Sequence, residues 1–497
     1  MSNKYVLAID QSTSGTKALL LDVHGEIKAR SDMAHDQIVS DKGWVEHNPV
    51  QIYRNTIEVV KAVVQKAQID KNDILTVGIS NQRETAMIWD KITGEPVYHA
   101  IVWQCARGEE ICNRIATSEN MELIQRSTGL KLSPYFSAAK IAWILENVDG
   151  VRDKANRNEL CCGTIDSWLV YKLTEGISFK TDFSNASRTQ LFNINQLCWD
   201  KDICDLFDIP LTILGEVCDS NSNFGETDFE GFLNNKIPIC AVLGDSHGAL
   251  FGQGCISKGM IKATYGTGSS IMMNIGEKPV FSQHGVVTSL GWSIDGKVNY
   301  VLEGNINYAG SVIKWLVDDV KLLESPKEAT ELAKSANKED TTYLVPAFSG
   351  LGAPYWESKA TASLCGMTRI TGRAEIVKAA VEGIAYQITD IVKAMSEDAG
   401  IEIKELRVDG GPTKNDYLMQ FQSDMLNIEV QIPDMEELSA IGVGYLAGIT
   451  VDFYDKLGVF DRIHRAKFKP LMKEGKREIC YMGWKAAVQS ILHTSGN

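Results

Sequence analysis

No run of eighteen apolar side chains occurs in the 497 residues, so no segment can cross a bilayer as a helix and no membrane partner is expected. The opening residues also lack an apolar signal core, which points to a cytoplasmic chain. Clusters of lysine and arginine are missing too. With a formal net charge of -14, no basic face exists to hold nucleic acid or an anionic surface. The eleven cysteines are odd in number and show no Cys-x-x-Cys spacing, only Cys161 and Cys162 being neighbours, so reduced thiols are the simplest account. The eight histidines have no ligand spacing and give no basis for a structural zinc. Two loop signatures fall short as well. Gly266-Thr267-Gly268 lacks the third glycine of a dinucleotide fingerprint. The stretch 291–298 nearly spells a Walker A loop, but Val298 stands where a magnesium-binding hydroxyl is required. Asp295-Gly296, between apolar runs, reads instead as a hairpin turn.

What is present is a chain too long for one core, which predicts two large domains or three, with a composition of 44% hydrophobic residues that suits a globular enzyme. Apolar runs at 5–10, 17–22 and 26–30 predict a three-stranded meander with a tight polar turn after its first strand. A helix is predicted over 49–67, where Ile52, Ile57, Val60, Val63 and Val64 recur near a 3.6 period, and a buried strand over 74–79. Strands at 237–244, 259–265, 270–275 and 298–302 repeat the strand-turn-strand grammar, so a duplicated fold is expected, with domains 1–252 and 253–497. Residues 406–415 then give a strand and a glycine turn that lead into a helix over 416–425, a geometry that brings backbone close to a ligand or simply turns the chain.

Asp245 ends an apolar strand between two hydroxyl- and glycine-rich turns, residues 12–16 and 264–270. One carboxylate flanked by two such turns is what transfer of a phosphoryl group to a hydroxyl needs. Asp10 precedes the first turn, where a carboxylate can hold magnesium, mostly through water. Taken alone, an Asp before small polar residues is more often a plain reversal, and Lys17 is equally a phosphate ligand or a solvated cation. Arg83 and Glu84, where a strand opens into a loop, can grip neighbouring hydroxyls of a polyol or form a surface ion pair. Trp103 and Tyr135 suit a cleft wall or a core.

Together these segments resemble the FGGY family of carbohydrate kinases, and within it the glycerol-specific members. The likeness runs through Asp10-Gln11 with Thr13, 43–47, 80–85, 101–104, Pro134-Tyr135-Phe136-Ser137, 185–189, Gly244-Asp245, 265–268, 346–348, 352–356 and 421–424. It implies an α/β fold of two actin-like, ribonuclease-H-like domains closing on a cleft, with ATP and magnesium as cofactors and a small polyol or sugar as acceptor. The first domain would hold the acceptor and the second the nucleotide. Carried over by position, Asp245 would be the general base and Asp10 would sit near the metal. Arg83, Glu84, Trp103 and Tyr135 would line the acceptor pocket, Thr13, Ser14, Lys17 and Thr267 would meet the phosphates, and Gly310, Lys314, Gly411 and Asn415 would lie along the nucleotide.

The chain departs from the glycerol-specific pattern at Ser246-His247, where two glutamines are usual, at Ser270, where phenylalanine is, and at 105–107, where an Asp-Arg-Arg run is common. Two serines in place of a ring and a long amide open space, so Ser246 and Ser270 are expected to line a pocket for a polyol or ketose of four to five carbons. Glycerol is the alternative acceptor, and a non-catalytic actin-like nucleotide binder the reading of another class. The stretch 230–236 lacks the basic, glycine-rich character of a sugar-bisphosphate loop, and Phe232 offers no histidine for phosphotransfer control. The assembly, homodimer or homotetramer, is left open by the sequence.

Overall fold

Strand β1 (Tyr5–Gln11) is buried along its whole length, as a run of apolar residues covered on both faces must be. Leu7 and Ile9 join one core cluster and Val6 and Ala8 another, so the alternation of side chains divides a single strand between two cores. In the computed structural model, which describes residues 4–456 and 458–494, β1 pairs antiparallel with β2 (Gly15–Leu21), and β2 with β3 (Ile27–Ala34). Residues 1–3, part of the stretch read as lacking a signal core, lie outside the described residues. On its other side β1 runs parallel to β4 (Ile74–Asn81), and β4 to β5 (Ile237–Gly244). The order is therefore β3-β2-β1-β4-β5, with a short edge strand, Glu226–Thr227, beyond β5.

The second half repeats this plan. β6 (Ile261–Tyr265), β7 (Ser269–Gly276) and β9 (Lys297–Ile306) form the antiparallel meander, with β8 (Val287–Ile294) at its edge. β6 then runs parallel to β10 (Glu405–Asp409), and β10 to β11 (Glu429–Pro433). The matching order and strand senses are the duplication that the strand-turn-strand grammar anticipated, and the molecule is a two-domain α/β protein with mixed sheets. The predicted hairpin is present, Asp295 and Gly296 both taking positive φ between β8 and β9, as a two-residue primed turn demands.

Helix α1 (Pro49–Ala67) spans the predicted residues, started by Asn48, whose side chain accepts from the Val50 and Gln51 N–H groups, and by proline in its first turn. A separate five-stranded sheet takes two short strands from the segment between β3 and β4, Ile38–Val39 and Val45–His47, and three from the segment between β4 and β5, where helices pack on it. Helix α2 (Asp245–Gly252) follows β5 directly.

No local pattern of residues indicates where α3 (Leu438–Thr450) packs. Although it lies late in the chain, it packs on β1, β4, β5 and α2 of the first sheet. A Cβ on Gly442 would lie 1.9 Å from the Gly248 carbonyl oxygen, so the two helices cross backbone to backbone and only glycine fits. All eleven cysteines are free thiols. Among the described residues, no helix is long and apolar enough to cross a membrane.

Candidate active site

Three parallel strands of the first sheet end on the same side, and the carboxyl ends of such strands are where ligands meet an open α/β sheet. β1 delivers Asp10, β4 leads into Arg83 and Glu84, and β5 delivers Asp245 at the first turn of α2. Arg83 lies across Gly244, where a Cβ would come 2.6 Å from its Cγ, which accounts for glycine immediately before Asp245. From there the Arg83 Nε stands 3.2 Å from the Asp245 carboxylate, while its two terminal nitrogens each donate to Glu303 at 2.8 Å. Arg188 completes the network, donating to Glu84 at 2.6 Å and pairing with Glu303 at 3.0 Å. Glu303 is fully buried. Burial alone would raise its pKa, but Arg188 and Arg83 outweigh it and hold the carboxyl well below the usual range.

Asp245 remains a third exposed and faces a cavity of about 730 Å³. Of the residues singled out from sequence, Thr13, Ser14, Arg83, Glu84, Trp103, Tyr135, Ser246, Thr267 and Ser270 line it as well. Trp103 and Tyr135 form an apolar wall, ring centroids 5.5 Å apart, and the Trp103 indole donates to the Thr13 hydroxyl at 3.0 Å. Opposite, the Ser270 hydroxyl lies 3.5 Å from that of Ser246. A second cavity of about 620 Å³ adjoins the first, sharing Ala249, Thr264 and Ser439, and contains Asp10, Lys17 and Gly411. Gly310, Lys314 and Asn415 line neither. The Gly310 N–H donates to the Gly266 carbonyl behind the turn, Asn415 caps a helix through the Leu418 N–H, and Lys314 points outward toward Asp318. Lys17 does not face its turn as a free cation either, because it is ion-paired with Glu437 at 2.6 Å, and Arg30 pairs with the other oxygen of that carboxylate.

Only two of the three departures from the glycerol-specific pattern reach the cavity. His247 is buried beneath it, kept neutral by burial and by Arg83. Arg107 turns away to pair with Glu46 at 2.6 Å, between the rings of Trp44 and Trp143.

Asp10 accepts from Ser80 at 2.9 Å and is buried. Burial, and then the charge of Asp245, push its pKa up to about 7. A buried carboxylate facing a second one, with Lys17 already spent on Glu437, is a place where a divalent cation relieves charge. A single carboxylate so placed could hold an ion kept mostly by water and phosphate oxygens, as magnesium is.

This shift has a measurable consequence. The folded chain binds the Asp10 proton more tightly than the unfolded chain, whose aspartates titrate near about 3.9. Its contribution to stability is therefore intact below about pH 4, declines as pH rises toward 7, and stays lost above. Asp10→Asn is expected to remove that decline, about 1 kcal/mol per pH unit, and to leave the unliganded variant the more stable at pH 8. Parallel stability profiles for the two proteins across this range would exclude the assignment.

Sequence reading missed Glu303, Arg188, Asn305 and Lys262, the last two of which line the first cavity. Glu303 and Lys262 sit in strands whose alternation reads as half-polar surface, and no local signal marks them as buried. Arg188 stood inside a recognised segment, 185–189, without a role.

The sequence profile of the FGGY family of carbohydrate kinases, N-terminal domain, matches residues 5–252, and that of the C-terminal domain matches residues 261–451. Glycerol kinase 1 of Thermotoga maritima is 48% identical over 490 residues, 98% of this chain and 99% of that protein. The glycerol kinase of Oceanobacillus iheyensis is 45% identical over 492 residues, 99% of this chain and 98% of that one. Among solved structures, Plasmodium falciparum glycerol kinase with ADP superposes with a TM-score of 0.93 at 37% identity, covering 99% of this chain and 98% of that one. A xylulose kinase from Lactobacillus acidophilus shares the fold, with a TM-score of 0.90 at 19% identity and 99% of each chain covered. With both domains matched and relatives aligned end to end, the chain belongs to the FGGY family of carbohydrate kinases and is a phosphotransferase with an alcohol group as acceptor.

Proposed function

We propose that this kinase transfers the γ-phosphoryl group of ATP to a terminal hydroxyl of glycerol. The observation that carries the reading is Asp245, a partly exposed carboxylate fixed by Arg83 at the floor of a cavity walled by Trp103 and Tyr135. The wall receives the carbon chain, Arg83 and Glu84 receive its hydroxyls, and Asp245 orients the reacting hydroxyl and takes its proton late in the transfer. Relatives at 44–48% identity that bear the name glycerol kinase weigh the choice of acceptor toward glycerol, the alternative in the reading of the sequence. Residues 1–252 would hold the acceptor and residues 253–497 most of the nucleotide, with α3 returning to the first sheet. Asp10 would hold magnesium through its water shell, and the ion would supply charge neutralisation at the phosphates. The work would be done in the cytoplasm.

One observation favours a longer acceptor. Ser246 and Ser270 face each other in the cavity and present two hydroxyls that a three-carbon acceptor leaves to water. The two readings separate in a panel of glycerol, erythritol, pentitols and pentuloses scored by acceptor-dependent ADP release. Glycerol with the highest kcat/KM supports the first, whereas a four- or five-carbon acceptor ahead by about tenfold replaces it with the second. Ser270→Phe is expected to lower kcat/KM for acceptors of four or more carbons by about tenfold and to change glycerol by less than about threefold. An unchanged ratio of kcat/KM between glycerol and the longer acceptors in this variant would show that Ser270 does not set acceptor length.

A further inference from the structure

Lys262 is completely buried, which for lysine ordinarily requires a paired charge. Strand β6 explains how it comes to be there. Ile261, Ala263 and Tyr265 point into the core of the second domain, so the alternation of the strand puts Lys262 and Thr264 on the opposite face, toward the cleft. Their cross-strand neighbours share that face: Thr264 stands opposite Ser270 on β7 and Asp409 on β10. The Lys262 ammonium donates to the Thr264 hydroxyl at 2.9 Å. Among the described residues it forms no ion pair, and two of its three donors have no acceptor.

The other cations lining the two cavities are engaged. Arg83 is held by Glu303 and Asp245, Lys17 by Glu437, and Lys414 by Glu436. Of the two cations lining the cavity of Asp245 and Thr267, Arg83 and Lys262, only Lys262 has no carboxylate within ion-pair distance among the described residues. Burial, joined by the repulsion of Arg83, pulls its pKa down, while Asp409, Glu303 and Asp245 oppose the fall. An anion placed against it would recover the cost of burial.

Phosphoryl transfer creates such an anion, because charge spreads over the three equatorial oxygens of the migrating group. Resting on the kinase reading above, we propose that Lys262 is a catalytic cation of the transfer step, donating to a non-bridging oxygen of the γ-phosphoryl group as it passes to the acceptor. The acceptor oxygen forms the new bond to phosphorus and the bond to the β,γ-bridging oxygen breaks, its electron pair leaving with ADP. The hydroxyl proton goes to Asp245, and Lys262 keeps its own. A fixed donor in a water-poor site is already aimed when charge develops, so it stabilises the transition state without reorganisation.

Lys262→Met keeps the length of the side chain and removes the charge. It is expected to lower kcat by about a hundredfold to a thousandfold, with KM for the acceptor and calorimetric affinity for ADP within about threefold of wild type. Affinity for ADP with aluminium fluoride, a mimic of the migrating group, is expected to fall in step with kcat. In Lys262→Ala, added ethylammonium is expected to restore about tenfold of the lost rate. A Lys262→Met enzyme keeping more than a third of wild-type kcat, or losing ADP and ADP–aluminium fluoride affinity alike, overturns the proposal. Loss of cooperative melting in both Lys262→Met and Lys262→Gln also overturns it, in favour of a structural role. Should the wild type phosphorylate no acceptor in the panel, the kinase reading fails by itself. Lys262 is then judged on acceptor-free ATP hydrolysis and on aluminium fluoride binding, where the same losses support it and their absence rejects it.

Discussion

Asp245→Asn is expected to lower kcat by about a hundredfold to ten-thousandfold, the usual cost of losing a general base, while leaving ADP affinity within about threefold. The substitution preserves size, and the amide can still meet the Arg83 Nε side of the network through its oxygen. What it removes is a carboxylate that lines the cavity, is a third exposed and is held by a buried guanidinium. Single-turnover rates with saturating ATP and acceptor measure the loss, and calorimetry with ADP measures the control. A variant that keeps most of its wild-type rate would remove Asp245 from the chemistry and leave it a partner of Arg83 only.

The second large effect falls on stability. Glu303→Gln keeps the shape of the side chain but leaves Arg83 and Arg188 facing each other without the charge that neutralises both. Breaking a buried pair by removing one partner typically costs about 3–5 kcal/mol, because the remaining charge is stranded in a low-dielectric interior. The denaturation midpoint is expected to fall accordingly, and turnover with it, since Arg83 would no longer be fixed against Asp245. The pH dependence has a definite sign. Glu303 is held below its unfolded value, so its contribution is present above about pH 4.3 and is lost as pH falls toward the folded value. An unaltered midpoint in Glu303→Gln would mean that the two guanidiniums find other partners.

How much of this could be read from residues alone differs by element. The bounds of α1 follow from its periodicity, its asparagine cap and its proline, all within a few residues of one another. The turn at Asp295-Gly296, the strands that carry Asp10 and Asp245, and the duplicated grammar are local patterns too, and the structure contains them. Thr13, Ser14, Arg83, Glu84, Asp245, Ser246 and Thr267 of the cavity lining were likewise recognisable, because each sits just past the end of an apolar strand.

Only the tertiary structure decided which charges meet. Arg83 and Glu303 are 220 residues apart, and Lys17 and Glu437 are 420 apart. Lys17, read as a phosphate ligand or a solvated cation, is paired with a carboxylate on the loop before α3, while Lys262, which no sequence pattern singled out, lines the cleft with no ion-pair partner among the described residues. Departures that looked equivalent in sequence also separate, Ser246 and Ser270 lining the cavity and Arg107 binding Glu46 elsewhere. Periodicity and capping are set by neighbours within a turn or a strand pair, so a sequence displays them directly. Burial of a charge and the choice of its partner depend on how sheets and helices from distant parts of the chain come together, and that is settled only when the whole fold is assembled.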